Sequence, residues 1–118
     1  MAKILVVDDA AFVRLRTSRL LTEAGHQVIE AATGRAAIEA YERERPDAVL
    51  MDITMPEMDG LEALDRIRVL DPQARVAMLT AVGQQSVVMD AIRRGAREFL
   101  VKPFKGDRVL GAINRLLG

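Results

Sequence analysis

Apolar residues follow two alternating patterns along the chain: short, largely β-branched runs, and longer segments in which they recur every three or four positions. The runs predict buried strands, since interior strands of a parallel sheet are covered on both faces. The longer segments predict amphipathic helices. Five strands are predicted at residues 4–7, 27–31, 49–52, 76–79 and 99–101. Helices are predicted over residues 11–24, from Thr33–Gly34 to Pro46, after Gly60 to Asp71–Pro72, over residues 83–94 and through Val109–Leu117.

Each predicted helix has positions that we expect to face the core. In order along the chain these are Leu15, Leu20, Leu21 and Ala24; Ala37, Ile38 and Tyr41; Leu61, Leu64 and Ile67; Val88, Ala91 and Ile92; and Val109, Ala112, Ile113, Leu116 and Leu117. Thr33 is a predicted N-cap, and Gly25 and Gly95 are predicted to end the first and fourth helices. We expect Arg14, Arg16 and Arg19 to occupy a solvated face of the first helix.

The regular alternation of strand and helix predicts one α/β domain over residues 1–118, without an internal repeat, low-complexity segment or linker. Consecutive strand–helix–strand units form right-handed crossovers, so the strands should form a parallel sheet with helices on both faces. The second strand is the most polar of the five and is expected at an edge.

Polar side chains that could bind a ligand or react lie where four of the strands end. The first strand ends at Asp8–Asp9, the third at Asp52, the fourth at Thr80 and the fifth at Lys102. Because the carboxyl ends of parallel strands meet at one edge of the sheet, these side chains should gather in one crevice.

The three carboxylates would repel one another, and a divalent cation would relieve that repulsion. Mg²⁺ suits such a site, because it binds a few carboxylates, keeps several waters and accepts phosphate oxygens. We therefore predict Mg²⁺-dependent phosphoryl transfer, with Asp52 as the nucleophile. Asp8 and Asp9 would hold the metal, and Thr80 and Lys102 would bind phosphoryl oxygens.

Each of these residues also has a structural interpretation. Asp8–Asp9 or Thr80 could cap the helix that follows, and Lys102 could be an ordinary exposed lysine. The joint placement at four separate strand ends favours the functional interpretation.

Composition excludes several classes of function. The formal net charge of zero argues against direct nucleic-acid binding, which needs a basic surface. The chain has no cysteine and a single histidine, His26, which excludes disulfides, a thiolate nucleophile and a His-rich metal site. No run approaches the roughly 18 apolar residues of a membrane span. The N-terminus enters a strand directly, without a signal-peptide pattern, so we expect a cytoplasmic protein.

Four motifs, in this order, are similar to those of the receiver domains of two-component response regulators. They are Val6-Val7-Asp8-Asp9, Met51-Asp52-Ile53-Thr54-Met55-Pro56, Thr80-Ala81 and Val101-Lys102-Pro103-Phe104. The resemblance covers essentially the whole chain. It implies a flavodoxin-like (βα)5 fold with strand order 2-1-3-4-5.

The resemblance also implies a role for each site residue. Asp52 is the phosphoacceptor; Asp9 binds Mg²⁺ directly, Asp8 acts more through water, and the backbone carbonyl of Thr54 is a further ligand. Thr80 and Lys102 hold the phosphoryl group, and the bond between Lys102 and Pro103 is cis, which would aim Lys102 into the site. Thr80 and Phe99 form the switch, with Phe in place of the Tyr of many relatives. Thr54 and Val82 tune hydrolysis.

Four segments carry a closer similarity, namely Asp8-Asp9-Ala10-Ala11-Phe12, Met51 to Asp59, Gly83-Gln84-Gln85-Ser86 and Asp107-Arg108-Val109-Leu110. They resemble the stand-alone chemotaxis receivers of Gram-positive and thermophilic bacteria. It implies a monomer that takes its phosphoryl group from a histidine kinase or phosphotransfer protein and signals to a flagellar motor switch protein. The signalling face would combine the fourth helix, fifth strand and fifth helix. Val87, Met89 and Phe104 either lie on that face or are buried. Such a protein catalyses only its own phosphorylation and dephosphorylation.

Two other assignments remain to be weighed. Phosphatases of the haloacid dehalogenase type also use a strand-end aspartate with Mg²⁺, but they need a second aspartate two residues later, where this chain has Thr54. The alternative that stays open is a receiver domain from a longer regulator, such as a DNA-binding one.

Overall fold

The computed structural model describes residues 2–81 and 85–118, the side chain of Gln85 excepted. Within these residues, strands and helices alternate from β1 to α5. The strands are β1 Lys3–Val7, β2 Gln27–Ala31, β3 Ala48–Asp52, β4 Val76–Ala81 and β5 Glu98–Lys102. The helices are α1 Ala11–Glu23, α2 Gly34–Glu44, α3 Gly60–Leu70, α4 Gln85–Arg93 and α5 Gly106–Leu117. The predicted start of the fourth helix at Gly83, and Val82 before it, lie outside the described residues.

The strands form one parallel sheet in the order β2-β1-β3-β4-β5, which confirms the flavodoxin-like topology. Leu5 of β1 pairs with Ile29 of β2 on one side and Val49 of β3 on the other. The polar strand β2 is at an edge, as predicted. In the part of the chain that the structure describes, no helix has both the length and the apolar character needed to cross a membrane.

Alternate residues of each central strand pack into two separate cores. Leu5, Val7 and Met51 face a core that α2, α3 and α4 cover. Ile4, Val6 and Leu50 face the other core, which α1 and α5 cover. Burial of each large aliphatic side chain contributes roughly 1.5–3 kcal/mol, so both faces of the sheet stabilise the fold. The buried α5 residues are Val109, Ala112, Ile113 and Leu116, and their i, i+3, i+4, i+7 spacing confirms the predicted stripe.

Local signals set three of the helix ends. The Thr33 hydroxyl accepts a hydrogen bond from the Ala36 N–H at 3.0 Å, which confirms the predicted N-cap of α2. The Asp59 carboxylate caps α3 in the same way, accepting from the Glu62 N–H at 2.9 Å. Gly95 follows α4 with φ +106°, a left-handed conformation that glycine adopts without strain.

Three of the predicted core positions were wrong. Leu15 is 52% exposed and Ile92 is 46% exposed, and Ala24, the residue after α1, is also exposed. The buried face of α1 passes instead through Thr17, Ser18 and Leu21. Successive helical positions turn by about 100°, which carries Leu15 away from that face and Ile92 away from the buried Ala91. Apolar character alone therefore did not predict which way these side chains face.

Candidate functional site

The polar strand ends lie together at the carboxyl edge of the sheet. Asp52 is the last residue of β3 and Lys102 the last of β5, while Asp8 directly follows β1. One carboxylate oxygen from each of Asp8, Asp9 and Asp52 lies within 4.8 Å of the others. The structure thus brings together the acidic residues that the sequence placed at separate strand ends.

The chemistry of these donors suits a hard divalent cation. All three offer oxygen, and the oxygens are close enough to share one ion after small adjustments. Asp8 is 1% and Asp52 7% exposed, whereas Asp9 is open to solvent. An open side is needed for Mg²⁺, which retains several waters and takes phosphate oxygens as ligands.

Lys102 bridges the two buried carboxylates of this cluster. Its Nζ donates to Asp8 Oδ2 at 3.0 Å and to Asp52 Oδ2 at 3.1 Å. The Lys102–Pro103 peptide bond is cis, in agreement with the resemblance. The ammonium therefore supplies the positive charge between Asp8 and Asp52.

Burial and charge oppose each other at this bridge. Burial raises the pKa of Asp52 above its usual range; Lys102 opposes this rise, Asp8 adds to it, and the Thr54 N–H opposes it by donating to the carboxylate. For Lys102, burial alone would lower the pKa, but the hydrogen bonds and charges of Asp8 and Asp52 outweigh it and raise the pKa. The site therefore holds a charged lysine beside a carboxylate that burial makes costly to ionise.

The hydroxyl and aromatic residues of the predicted switch lie on neighbouring strands. Thr80 is buried on β4, and its hydroxyl donates to the Ala81 carbonyl at 3.4 Å. Thr80 pairs with Val101, two residues beyond Phe99 on β5. The Phe99 side chain is 45% exposed at the surface of this edge strand. The switch roles of Thr80 and Phe99, and the role of the Thr54 carbonyl as a ligand, stay predictions.

Two residues near the site were not anticipated. The Gly60 N–H donates to the Ile53 carbonyl at 2.7 Å, and a Cβ on Gly60 would overlap the Asp52 carbonyl and lie 2.8 Å from Ile53 Cα. Arg14, expected on a solvated face, is mostly buried and contacts the main chain of Asp8. The signal for Gly60 was a glycine that directly follows a helix-capping Asp and lies eight residues after Asp52, the end of β3. The sequence offers no comparable signal for Arg14.

A family model for the response regulator receiver domain matches residues 4–114. The chain belongs to the receiver domain family. This receiver domain is 54% identical to the chemotaxis protein CheY of Bacillus subtilis over 98% of the chain and 97% of that protein. It is 47% identical to CheY of Thermotoga maritima over 97% and 96% of the two chains.

Solved structures agree with the receiver fold. One chain of the CheX-CheY-BeF3-Mg²⁺ complex from Borrelia burgdorferi is 35% identical to this receiver domain. The two superpose with a TM-score of 0.93 over 98% of this chain and 89% of the other. The fold and the sequence similarity together establish a receiver domain that is similar to CheY.

Proposed function

We propose that this receiver domain accepts a phosphoryl group on Asp52 from a histidine kinase or a phosphotransfer protein. The convergence of Asp8, Asp9, Asp52 and Lys102 at one edge of the sheet is the observation that carries the proposal. Bound Mg²⁺ would neutralise charge on the carboxylates and on the phosphoryl oxygens, with Asp8, Asp9, Asp52 and the Thr54 carbonyl as its protein ligands.

The residues of the chain supply the remaining chemistry. An Asp52 carboxylate oxygen attacks the phosphorus, and the bond from phosphorus to the donor histidine nitrogen breaks. The Lys102 ammonium, which already lies 3.1 Å from Asp52, moves its hydrogen bond to a phosphoryl oxygen. The Thr80 hydroxyl donates to another oxygen of the same group. Water later attacks the phosphorus, the bond from phosphorus to the Asp52 oxygen breaks, and inorganic phosphate leaves the free carboxylate. In this proposal the protein catalyses only its own phosphorylation and dephosphorylation.

Acetyl phosphate tests the acceptor without a protein donor. With Mg²⁺, the wild-type protein should gain the mass of one phosphoryl group and lose it on treatment with hydroxylamine, which cleaves acyl phosphates. Asp52→Asn should abolish the gain, while Asp107→Asn, which changes an exposed carboxylate in α5, should leave it intact. Unchanged labelling of Asp52→Asn, or labelling of the wild type without any divalent cation, would contradict the proposal.

We further propose that α4, β5 and α5 form the signalling face of a cytoplasmic, monomeric chemotaxis regulator whose target is a flagellar motor switch protein. The similarity to chemotaxis proteins over nearly their full length supports this assignment. So does a group of exposed apolar side chains on α4 and β5, namely Met89, Ile92, Phe99 and Val101. Of the residues left open by the sequence, Met89 is 51% exposed, whereas Val87 and Phe104 pack against the two cores.

The structure therefore selects the variant that tests this face. Met89→Asp should weaken binding of the beryllofluoride-treated protein to the motor switch protein and should leave acetyl phosphate labelling unchanged. Val69→Asp is the matched control, because Val69 is an exposed apolar residue on α3, outside the proposed face. Retained binding by Met89→Asp, or an equal loss in Val69→Asp, would argue against this surface. Val87→Asp is unsuitable, since it would disturb the core.

A further inference from the structure

Arg14 makes two hydrogen bonds that join three parts of the chain. It lies in the first turn of α1, and its side chain is 19% exposed. One terminal nitrogen of the guanidinium donates to the main-chain carbonyl of Asp8 at 2.6 Å. The Nε donates to a Glu30 carboxylate oxygen on the edge strand β2 at 3.0 Å. Arg14 therefore connects the loop between β1 and α1 to a neighbouring strand.

These contacts fix the main chain on both sides of Asp8. The Asp8 N–H donates to the Ala31 carbonyl on β2 at 3.2 Å, and the Asp8 carbonyl accepts from Arg14, which Glu30 anchors on the same strand. The Asp8 side chain is held separately, by the Ala10 N–H at 2.9 Å and by Lys102. Asp8 thus has a partner for each of its polar groups.

Asp9 is in a different position. Its side chain is exposed and makes no hydrogen bond or ion pair within residues 2–81 and 85–118. The location of its carboxylate, close to Asp8 and Asp52, therefore depends on the main chain that carries it. The carbonyl of Asp8 and the N–H of Asp9 belong to one planar peptide unit. A hydrogen bond that orients this carbonyl also orients the backbone from which the Asp9 side chain leaves.

We propose that Arg14 is a positioning residue that holds the Asp8–Asp9 peptide and presets the Asp9 carboxylate for a divalent cation. The inference rests on the proposed function, because it requires that the acidic cluster bind Mg²⁺. The planar guanidinium directs donors toward two acceptors at once, which a lysine ammonium on a flexible stem does not reproduce. Partners that orient metal ligands typically change metal affinity 10–100-fold when they are removed.

Titration with Mg²⁺ alone tests the assignment, with calorimetry and the amide NMR signals as its two readouts. Arg14→Ala should bind Mg²⁺ about tenfold more weakly than the wild type, at the lower end of the range for such partners. Arg14→Lys retains the charge without the fork and should stay close to Arg14→Ala. Arg16→Ala, which removes an exposed arginine from the same helix, should keep wild-type affinity.

The amide signals separate positioning from general loss of structure. Without Mg²⁺, the Arg14 variants should shift the signals of Asp9 and Ala10, while those of α4, on the opposite face of the sheet from α1, remain unchanged. If Arg14→Ala fails to fold, Glu30→Gln is the second variant. It removes the ionic anchor, and we expect about a threefold loss of affinity, less than for a removed partner.

Equal Mg²⁺ affinity in the wild type and Arg14→Ala would overturn the proposal, as would full recovery in Arg14→Lys or an equal loss in Arg16→Ala. Should Arg14→Ala not fold, wild-type affinity in Glu30→Gln would overturn it. Failure of the underlying function has a different signature, since the wild type itself would then show no Mg²⁺ binding.

Discussion

Asp52 carries opposing electrostatic demands within a single side chain. It must be ionised to act as a nucleophile, yet burial and the neighbouring Asp8 raise its pKa. Lys102 reduces this cost without removing it, because the direction of the shift remains upward. The ionised Asp52 carboxylate that reactivity requires therefore lowers the free energy of unfolding of the metal-free protein.

We expect Asp52→Asn to stabilise the protein in the absence of Mg²⁺. At pH 7 the gain should be about 1 kcal/mol in the free energy of unfolding, the size of a typical single-residue effect. For a domain of this length this is about 4 °C in Tm. Because the pKa is raised in the folded state, the native protein holds this proton to higher pH than the unfolded chain does.

The advantage of Asp52→Asn should therefore be absent below the unfolded carboxyl pKa of about 3.9 and develop as pH rises through the raised folded value. Thermal unfolding, monitored by circular dichroism at several pH values, measures the gain in Tm at pH 7 and its dependence on pH. A lower Tm for Asp52→Asn at pH 7 would show that the bond to Lys102 outweighs burial.

Lys102 gives the converse prediction. Lys102→Ala leaves two buried carboxylates without their shared countercharge and should cost about 2 kcal/mol without Mg²⁺, less than for a fully buried pair because Lys102 is partly exposed. Its raised pKa means that this stabilisation is present at neutral pH and is lost only as pH rises through the folded value.

Mg²⁺ affinity should be retained or increased in Lys102→Ala, since the ammonium and the metal compete for the same oxygens. Calorimetric titration measures that affinity. Lys105→Ala, an exposed lysine three residues later, is the control and should change neither quantity. Weaker metal binding as the main effect of Lys102→Ala would contradict the role proposed for it.

At the scale of secondary-structure elements, Gly60 brings the start of α3 against the end of β3. A methyl group there meets backbone atoms of Asp52 and Ile53, which cannot move aside as a flexible side chain would. Gly60→Ala should therefore destabilise the fold by about 2 kcal/mol, within the range for overpacking, and displace the loop that carries Thr54.

Gly111→Ala is the matched control for Gly60→Ala. It lies inside α5, where the nearest atom to the new methyl group is an Arg115 nitrogen at 3.4 Å. Because alanine favours helix over glycine, this variant should gain about 0.5–1 kcal/mol. Denaturant unfolding measures both changes. A neutral Gly60→Ala would mean that the end of β3 adjusts more easily than the contact distances indicate.

The elements were well predicted where the sequence pattern reports directly on burial. Every predicted strand exists, and Thr33 caps α2, because uniform apolar runs and a capping hydroxyl are local signals. The inward face of α1 was not predictable in the same way. Its buried positions include Thr17 and Ser18, while Phe12 and Leu15 are exposed. On this helix, polarity is a poor guide to which side meets the sheet.

At the scale of the whole molecule, strand–helix alternation predicts a parallel sheet but does not determine the order of its strands. The order 2-1-3-4-5 came from the resemblance, since several orders satisfy the same alternation. Parallel strands alone predict that Asp8, Asp52 and Lys102 lie at the same edge of the sheet, whereas the proximity of Asp8 to Asp52 also depends on the order that sets β1 beside β3. The Arg14 contacts were not, because they depend on the distance between α1 and the side chain of Glu30.

Metal binding should be visible in the stability of the entire domain. Mg²⁺ that binds only the folded state stabilises it by mass action, by about 1.4 kcal/mol at a free concentration ten times Kd. The wild-type Tm should therefore rise with Mg²⁺ and not with K⁺ at matched ionic strength. Asp9→Ala should lose most of this rise while keeping its metal-free Tm. An equal rise in Asp9→Ala would place the bound ion elsewhere.

Leu50 and Met51 are neighbours in the chain but belong to cores on opposite faces of the sheet. Each central strand thus serves two sets of helices that share little besides its backbone. Substitutions on one face should combine additively with those on the other, as is usual for residues without common partners. Helices α1 and α5 could therefore diverge to suit new protein partners while the packing beneath α4 is inherited unchanged. The sheet would thus separate two cores whose residues can change independently of one another within one small protein.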